Sequence, residues 1–235
     1  MKNSFIKSPR VENEEVLLYA PVSKEKKEVL EAYHNLYNTK IHIKLKIDGR
    51  DMDTKKKNKM YPPHEHNHIL GTYSIADKNH VDLAIKSALS AKEKWNDLGF
   101  SERASIFLKA AELICGPYRM IINASTMIAQ SKTIHQAEID AACEFADFLR
   151  FNVKFAEEIY NEHPVSSDGT WNKLSYRPLE GFVYAISPFN FTAIGGNLCA
   201  APALMGNTIV WKPSDYQIFS AKITMDIFED AGLPR

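Results

Sequence analysis

Residues 40–47, KIHIKLKI, alternate polar and apolar without a fault, with Ile41, Ile43, Leu45 and Ile47 on one side and Lys40, His42, Lys44 and Lys46 on the other. A period of two predicts a strand with one wet face, turned by Asp48-Gly49. Ahead of it, a polar arm over residues 1–38 contains Val29, Leu30, Tyr33 and Leu36 at helical spacing. After residue 74 the period lengthens and predicts three helices. Asp77 caps the first, whose apolar positions are Val81, Ala84, Ile85, Ala88 and Trp95. Ser101 is the expected cap of the second, which Gly116-Pro117 interrupts before the pattern resumes over 120–130.

Thr133 opens the third helix, with Gln136 completing a capping box. Its stripe runs Ile134, Ala137, Ala141, Phe145, Phe148, Asn152, Phe155, Ile159. At about 100° per residue, Glu138 falls inside that stripe and Glu144 on its margin, while Asp140, Asp147 and Glu158 fall toward water. A carboxylate on a buried face needs a partner, either within the fold or in a ligand. Both readings stay open for Glu138 and Glu144.

Beyond Pro164 the texture changes. Residues 170–181 read as extended, with Pro178 suited to an edge. GFVYAIS (181–187) and NTIVWK (207–212) are short apolar runs, separated by about 20 residues that hold a helical stretch over 194–204. That length fits a right-handed crossover, so the two strands are expected to be parallel neighbours. A further helix over 217–231 ends at Gly232 and Pro234. The order βαβα is the start of a doubly wound sheet, and the fold class is α/β.

Composition narrows the function. The 235 residues are 45% hydrophobic and 25% charged, as in ordinary globular proteins. Lys plus Arg and Asp plus Glu both number 29, so no global field favours nucleic acid or an anionic membrane, and neither is expected as a partner. The run DTKKKNK from Asp53 reads as a solvated loop. No apolar run is long enough to span a membrane. The three cysteines, Cys115, Cys143 and Cys199, are far apart, and an odd count fits a reducing compartment better than a disulfide framework. His64, His66 and His68 alternate, but two prolines precede them and no second ligand cluster lies near, so no metal is expected. Met1 to Arg10 is basic and compatible with the end of an organellar presequence, without showing one.

In open α/β sheets, ligands bind outside the carboxyl ends of the strands. Here the first strand delivers Ser187, Pro188, Phe189 and Asn190, and the second delivers Lys212, Ser214 and Asp215. Asn190 is either tied into the turn or waits for a ligand. Lys212 either hydrogen-bonds a ribose hydroxyl or is a strand-end charge. Ser214 and Asp215 either cap the next helix or touch the same sugar. Gly195-Gly196 is not a GxGxxG fingerprint, and close helix packing explains it as well as phosphate does.

SPFNFTAIGGNLCAAPALMGNTIVWKPSD (187–215) resembles the PWNFP-to-KPSE region of the aldehyde dehydrogenase superfamily. Together with KTIHQAEIDAACEFADFLRFN (132–152), it is similar to the branch that oxidises the γ-semialdehyde of glutamate in proline breakdown, and the likeness runs from about residue 16 to 235. It implies NAD as cofactor, a small aldehyde as substrate, a homo-oligomer and the mitochondrial matrix. Asn190 matches the asparagine that donates to the oxyanion. Ser187, Pro188, Phe189, Lys212, Ser214 and Asp215 match the NAD side, and Glu144 and Phe191 the aldehyde side. Asp215 leans toward NAD over NADP by repelling a 2′-phosphate.

The resemblance also sets the expected layout: an N-terminal arm (1–38), strands of an oligomerisation sheet (39–73), helices of the NAD-binding domain (74–165), an oligomerisation strand (166–180) and an incomplete dinucleotide-binding βαβα (181–235). The family's nucleophilic cysteine, its general-base glutamate and its cofactor turn match nothing here, so the chain reads as the amino-terminal portion of such an enzyme, inert by itself. The competing readings are a non-catalytic binding or assembly protein with a partial fold of this type, and a dehydrogenase of another aldehyde.

Overall fold

The computed structural model describes residues 7–234, so the first six residues of the basic segment lie outside the described residues. Helix α1 (Lys24–Asn38) starts at Ser23, whose hydroxyl accepts from Lys26 N at 3.3 Å. Five short strands follow: β1 (Ile41–Ile43), β2 (Leu45–Ile47), β3 (Arg50–Met52), β4 (Lys57–Met60) and β5 (Gly71–Ser74). The single strand expected over 40–47 is therefore broken at the exposed Lys44. Its two halves join different sheets. β1 pairs parallel with β5, which pairs antiparallel with β4, and Ile43, Met60 and Tyr73 pack in a cluster with Ile128 and Phe219. β2 and β3 form a hairpin whose Asp48 and Gly49 both have positive φ, as a type I′ turn requires. Half of the expected DTKKKNK loop is the lysine-rich edge strand β4, a composition that discourages further pairing.

Helix α2 (Lys78–Asp97) is capped by Asp77, as expected. α3 (Phe100–Cys115) starts from Gly99 rather than Ser101, because the Glu102 carboxylate reaches back to accept from Gly99 N at 2.8 Å and closes the first turn without a hydroxyl. α4 (Arg119–Gln130) resumes after the Gly116-Pro117 break. α5 (Ile134–Ala137) carries the Thr133–Gln136 box, then runs through a π-helical segment, Glu138–Glu144, into α6 (Phe145–Asn161).

The π segment overturns the expected stripe. A π turn rotates less per residue than an α turn, so every position beyond it is displaced around the axis. Phe155 and Ile159 are exposed, and Leu149, Val153 and Ala156 are buried in their place. Asp140, expected toward water, is only 2% exposed.

β6 (Val183–Ile186), α7 (Thr192–Leu204), β7 (Ile209–Lys212) and α8 (Ile218–Ala231) form the expected βαβα, with β6 and β7 parallel and Ile186 opposite Lys212. Gly232, in the left-handed region, ends α8. The main core lies between α3, α6, α7 and α8, where Phe107 and Phe145 both meet Phe228 edge-on. Each such buried side chain contributes about 1.5 to 3 kcal/mol. Residues 170–181, expected to be extended, form neither helix nor ladder among the described residues; Trp171 and Leu179 lie exposed on them.

Candidate active site

The turn between β6 and α7 is clamped from two directions. On one side Ser187, 3% exposed, donates to Gln217 Oε1 at 2.8 Å and accepts from Trp211 Nε1 at 3.0 Å. Gln217, buried at the start of α8, then donates from Nε2 to the Phe191 carbonyl at 2.5 Å. The glycine pair makes this packing possible. A Cβ on Gly195 would lie 2.5 Å from Gln217 Nε2, and one on Gly196 would lie 2.1 Å from Cζ of Phe145. Close packing thus accounts for both glycines.

On the other side is Asp140. Its Oδ2 accepts from Thr192 N at 3.0 Å and from Lys132 Nζ at 2.7 Å, and its Oδ1 accepts from Ala193 N at 3.0 Å. Lys132 Nζ also stands 4.2 Å from the Phe191 ring centroid, a cation–π contact. Between the clamps Asn190 is exposed, and its amide has no partner among the described residues. It is not tied into the turn, so its two N–H donors are free.

The other expected site residues divide. Phe189 is 61% and Phe191 37% exposed, and Pro188, between Ser187 and Phe189, is half-buried. Lys212 is exposed, and its carbonyl accepts from Ser187 N at 3.4 Å, so the carboxyl ends of β6 and β7 lie side by side. The Ser187 side chain is spent within the fold, which leaves its backbone as the part that can meet a ligand. Neither Ser214 nor Asp215 caps α8. Ser214 instead forms a tight turn, its carbonyl accepting from Gln217 N at 2.9 Å and its hydroxyl from Tyr216 N at 3.4 Å. Asp215 lines a cleft of ≈ 540 Å³ with Tyr73, Lys59 and Phe219. Burial there pushes the Tyr73 hydroxyl up, opposed by a hydrogen bond from Asn58 and assisted by the Asp215 carboxylate.

The two helix carboxylates have different roles. Glu138 is fully buried and structural: it accepts from Arg119, from Tyr19 Oη at 2.6 Å, from Asn123 Nδ2 at 2.7 Å and from Leu17 N at 2.9 Å. Burial opposes its charge, but these donors hold its pKa below the usual range. Glu144 is half-buried and follows Asp140 on the π segment. Burial pushes its pKa up, and the Asp140 charge adds to this while Lys132 offsets it. Asp147, expected toward water, is half-buried and binds the arm through Glu14 N at 2.8 Å.

No cysteine here is a poised nucleophile. Burial pushes Cys115 and Cys143 up to about 12, and Cys199, 8% exposed, higher still. Among the described residues no cluster of His, Cys, Asp and Glu suits a metal ion. His64 contacts Ser131 Oγ at 2.8 Å, and His68 stacks on Tyr37 at 3.8 Å. Among the described residues no helix is long and apolar enough to cross a membrane.

Sequence reasoning missed Gln217, Asp140 and Lys132. Asp140 lies on the π segment, which no simple period marks, and Lys132 precedes the helix, where no spacing ties it to Asp140. Gln217 stands where the last helix is expected to begin, and nothing in the spacing marks it as a buried amide.

Residues 50–235 match the model of the aldehyde dehydrogenase family. A probable delta-1-pyrroline-5-carboxylate dehydrogenase of Schizosaccharomyces pombe is 47% identical over 97% of this chain and 42% of its own length. The human mitochondrial delta-1-pyrroline-5-carboxylate dehydrogenase is 44% identical over 97% and 40%. The chain thus spans about two fifths of the length of the curated relatives it matches. Among solved structures, the Mycobacterium tuberculosis delta-pyrroline-5-carboxylate dehydrogenase bound with NAD superposes with TM-score 0.96 at 47% identity, covering 98% of this chain and 43% of that one. A Thermus 1-pyrroline-5-carboxylate dehydrogenase with bound NAD gives 0.88 at 26%, covering 97% and 44%.

Proposed function

The chain belongs to the aldehyde dehydrogenase family, and from that premise we propose that it forms part of an enzyme oxidising glutamate γ-semialdehyde, the open form of 1-pyrroline-5-carboxylate, to glutamate. The observation that carries this reading is Asn190: a solvent-facing amide with no partner among the described residues, on a turn clamped at both ends. Such a group donates to the oxygen of an aldehyde as a thiolate adds to its carbon and the oxygen becomes anionic. A donor of this kind is worth about 3 to 4 kcal/mol of barrier when it needs no reorganisation. The clamps supply that preorganisation. Glu144 and Phe191 line the aldehyde side of the same turn in this reading.

The residues present fit NAD. Exposed Ile186 and Phe189 offer apolar surface at the carboxyl edge of β6, Lys212 offers a cation to hydroxyl oxygens, and the backbone of Ser187 and Pro188 lies beside them. Bound NAD supplies the acceptor for the aldehyde's hydride. In this reading Ser214 and Asp215 stand at the sugar, with the Asp215 charge disfavouring a 2′-phosphate. The nucleophilic thiol and the general base come from outside these 235 residues, so the chain alone is inert. Residues 39–73 and 166–180 supply the contact with a second copy, and the matrix of the mitochondrion is the site of action.

The experiment joins residues 1–235 to the carboxyl-terminal remainder of the Schizosaccharomyces pombe relative and compares aldehydes by NADH formation. Higher kcat/KM for glutamate γ-semialdehyde than for simple aliphatic aldehydes supports the reading. A folded, NAD-reducing chimera that prefers another aldehyde overturns the substrate assignment.

A further inference from the structure

Resting on Asn190 as the oxyanion donor, we propose that Asp140 is its positioning residue, capping α7 from a distant helix so that positions 190 and 191 remain free to face the substrate. The first amides of a helix have no partner within it. Here they are buried, Thr192 at 1% and Ala193 at 0% exposed, so each would be costly to leave unpaired. The common solution is a local Ser, Thr, Asp or Asn at the cap, whose side chain folds back onto these amides. In this chain the cap position is Phe191, extended and with a side chain that cannot accept. An asparagine stands one residue earlier, yet its side chain does not turn back. Asp140 performs the task from 52 residues away, one oxygen to each amide.

Two further features support this division of labour. Asp140 lies on the π segment, buried against the start of α7, and π bulges of this kind recur at functional sites. Lys132 then joins the cap to the aromatic wall. It pairs with Asp140 and stands over the Phe191 ring, so one ion pair holds both the helix start and the ring that flanks Asn190.

The test uses the 235-residue chain and needs neither NAD nor aldehyde. In Asp140→Asn, which keeps the shape but turns one acceptor into a donor, amide exchange at Thr192 and Ala193 is expected to accelerate about tenfold or more, while α8 keeps its protection. The Asn190 side-chain amide resonance should shift in the same variant. Lys132→Gln, at a less buried position, should move that resonance in the same direction by less, and it carries the test if Asp140→Asn does not fold. Asp77→Ala, which removes the α2 cap and costs stability elsewhere, should leave it in place. Faster exchange with an unmoved Asn190 resonance overturns the proposal and makes Asp140 a cap only; unchanged exchange also overturns it. Because the readout is geometric, a wrong substrate assignment would leave its outcome intact.

Discussion

Gln217 occupies the space that a methyl group at position 195 would fill, and through it reaches the Phe191 carbonyl at 2.5 Å. One buried amide thereby links the end of β6, through Ser187, to the start of α7. Replacing Gln217 by Leu removes the acceptor for the Ser187 hydroxyl and one of the two donors to the Phe191 carbonyl, which keeps Gly195 N at 3.2 Å. The expected cost is about 1 to 3 kcal/mol for each buried group left unsatisfied, read as a lower urea midpoint at unchanged m-value.

Gly196→Ala tests the packing of α7 on α6. The new methyl would enter the Phe145 ring, itself fully buried, so neither can move freely. Overpacking of this kind costs about 1 to 3 kcal/mol. Phe145→Leu costs stability alone but should recover part of the loss when combined with Gly196→Ala. Denaturant unfolding of the four proteins as a double-mutant cycle measures that coupling.

Residues 8–19 are fastened to the helices by ion pairs and by hydrogen bonds to the buried Glu138 carboxylate. Glu14 bridges Arg119 at 2.6 Å and Arg150 at 2.7 Å, and burial, which alone would raise its pKa, is outweighed by these donors and Cys115, leaving it at about 2. The folded value lies below the unfolded 4.5, so the stabilisation is fully present above pH 4.5 and is lost as the pH falls toward 2. Arg119→Ala strands Glu138 without its cation and should cost about 3 to 5 kcal/mol at neutral pH. Thermal unfolding against pH checks both, and Glu14→Gln should flatten the acid limb.

Thiol chemistry follows from burial. With Cys115 and Cys143 raised to about 12 and Cys199 buried in α7, the native chain should react slowly with a disulfide reagent at neutral pH, and all three thiols should react promptly in guanidinium. A thiol that reacts at once in the native chain contradicts the assignment of all three to packing.

Much of the architecture was legible because its signals are local. Asp77 and the Thr133–Gln136 box mark real helix starts, Asp48-Gly49 a real hairpin turn, and the two apolar runs a real parallel pair. The failures occur where a distant partner decides. Lys44 breaks a perfect alternation because β1 finds β5 and β2 finds β3. Glu102 makes Ser101 unnecessary as a cap, and Asp140, expected toward water, is buried by the approach of the α7 amides it accepts from. At the site, the pattern identified Asn190 and the strand ends, while the groups that hold them came from elements whose approach no spacing encodes.

The central claim is that Asn190 stabilises an oxyanion, and the turnover of Asn190→Ala in the chimera with glutamate γ-semialdehyde tests it most directly. A fall in kcat of about 10²- to 10³-fold, with KM for NAD little changed, is the predicted result. An unchanged kcat in a folded, NAD-binding variant would contradict it.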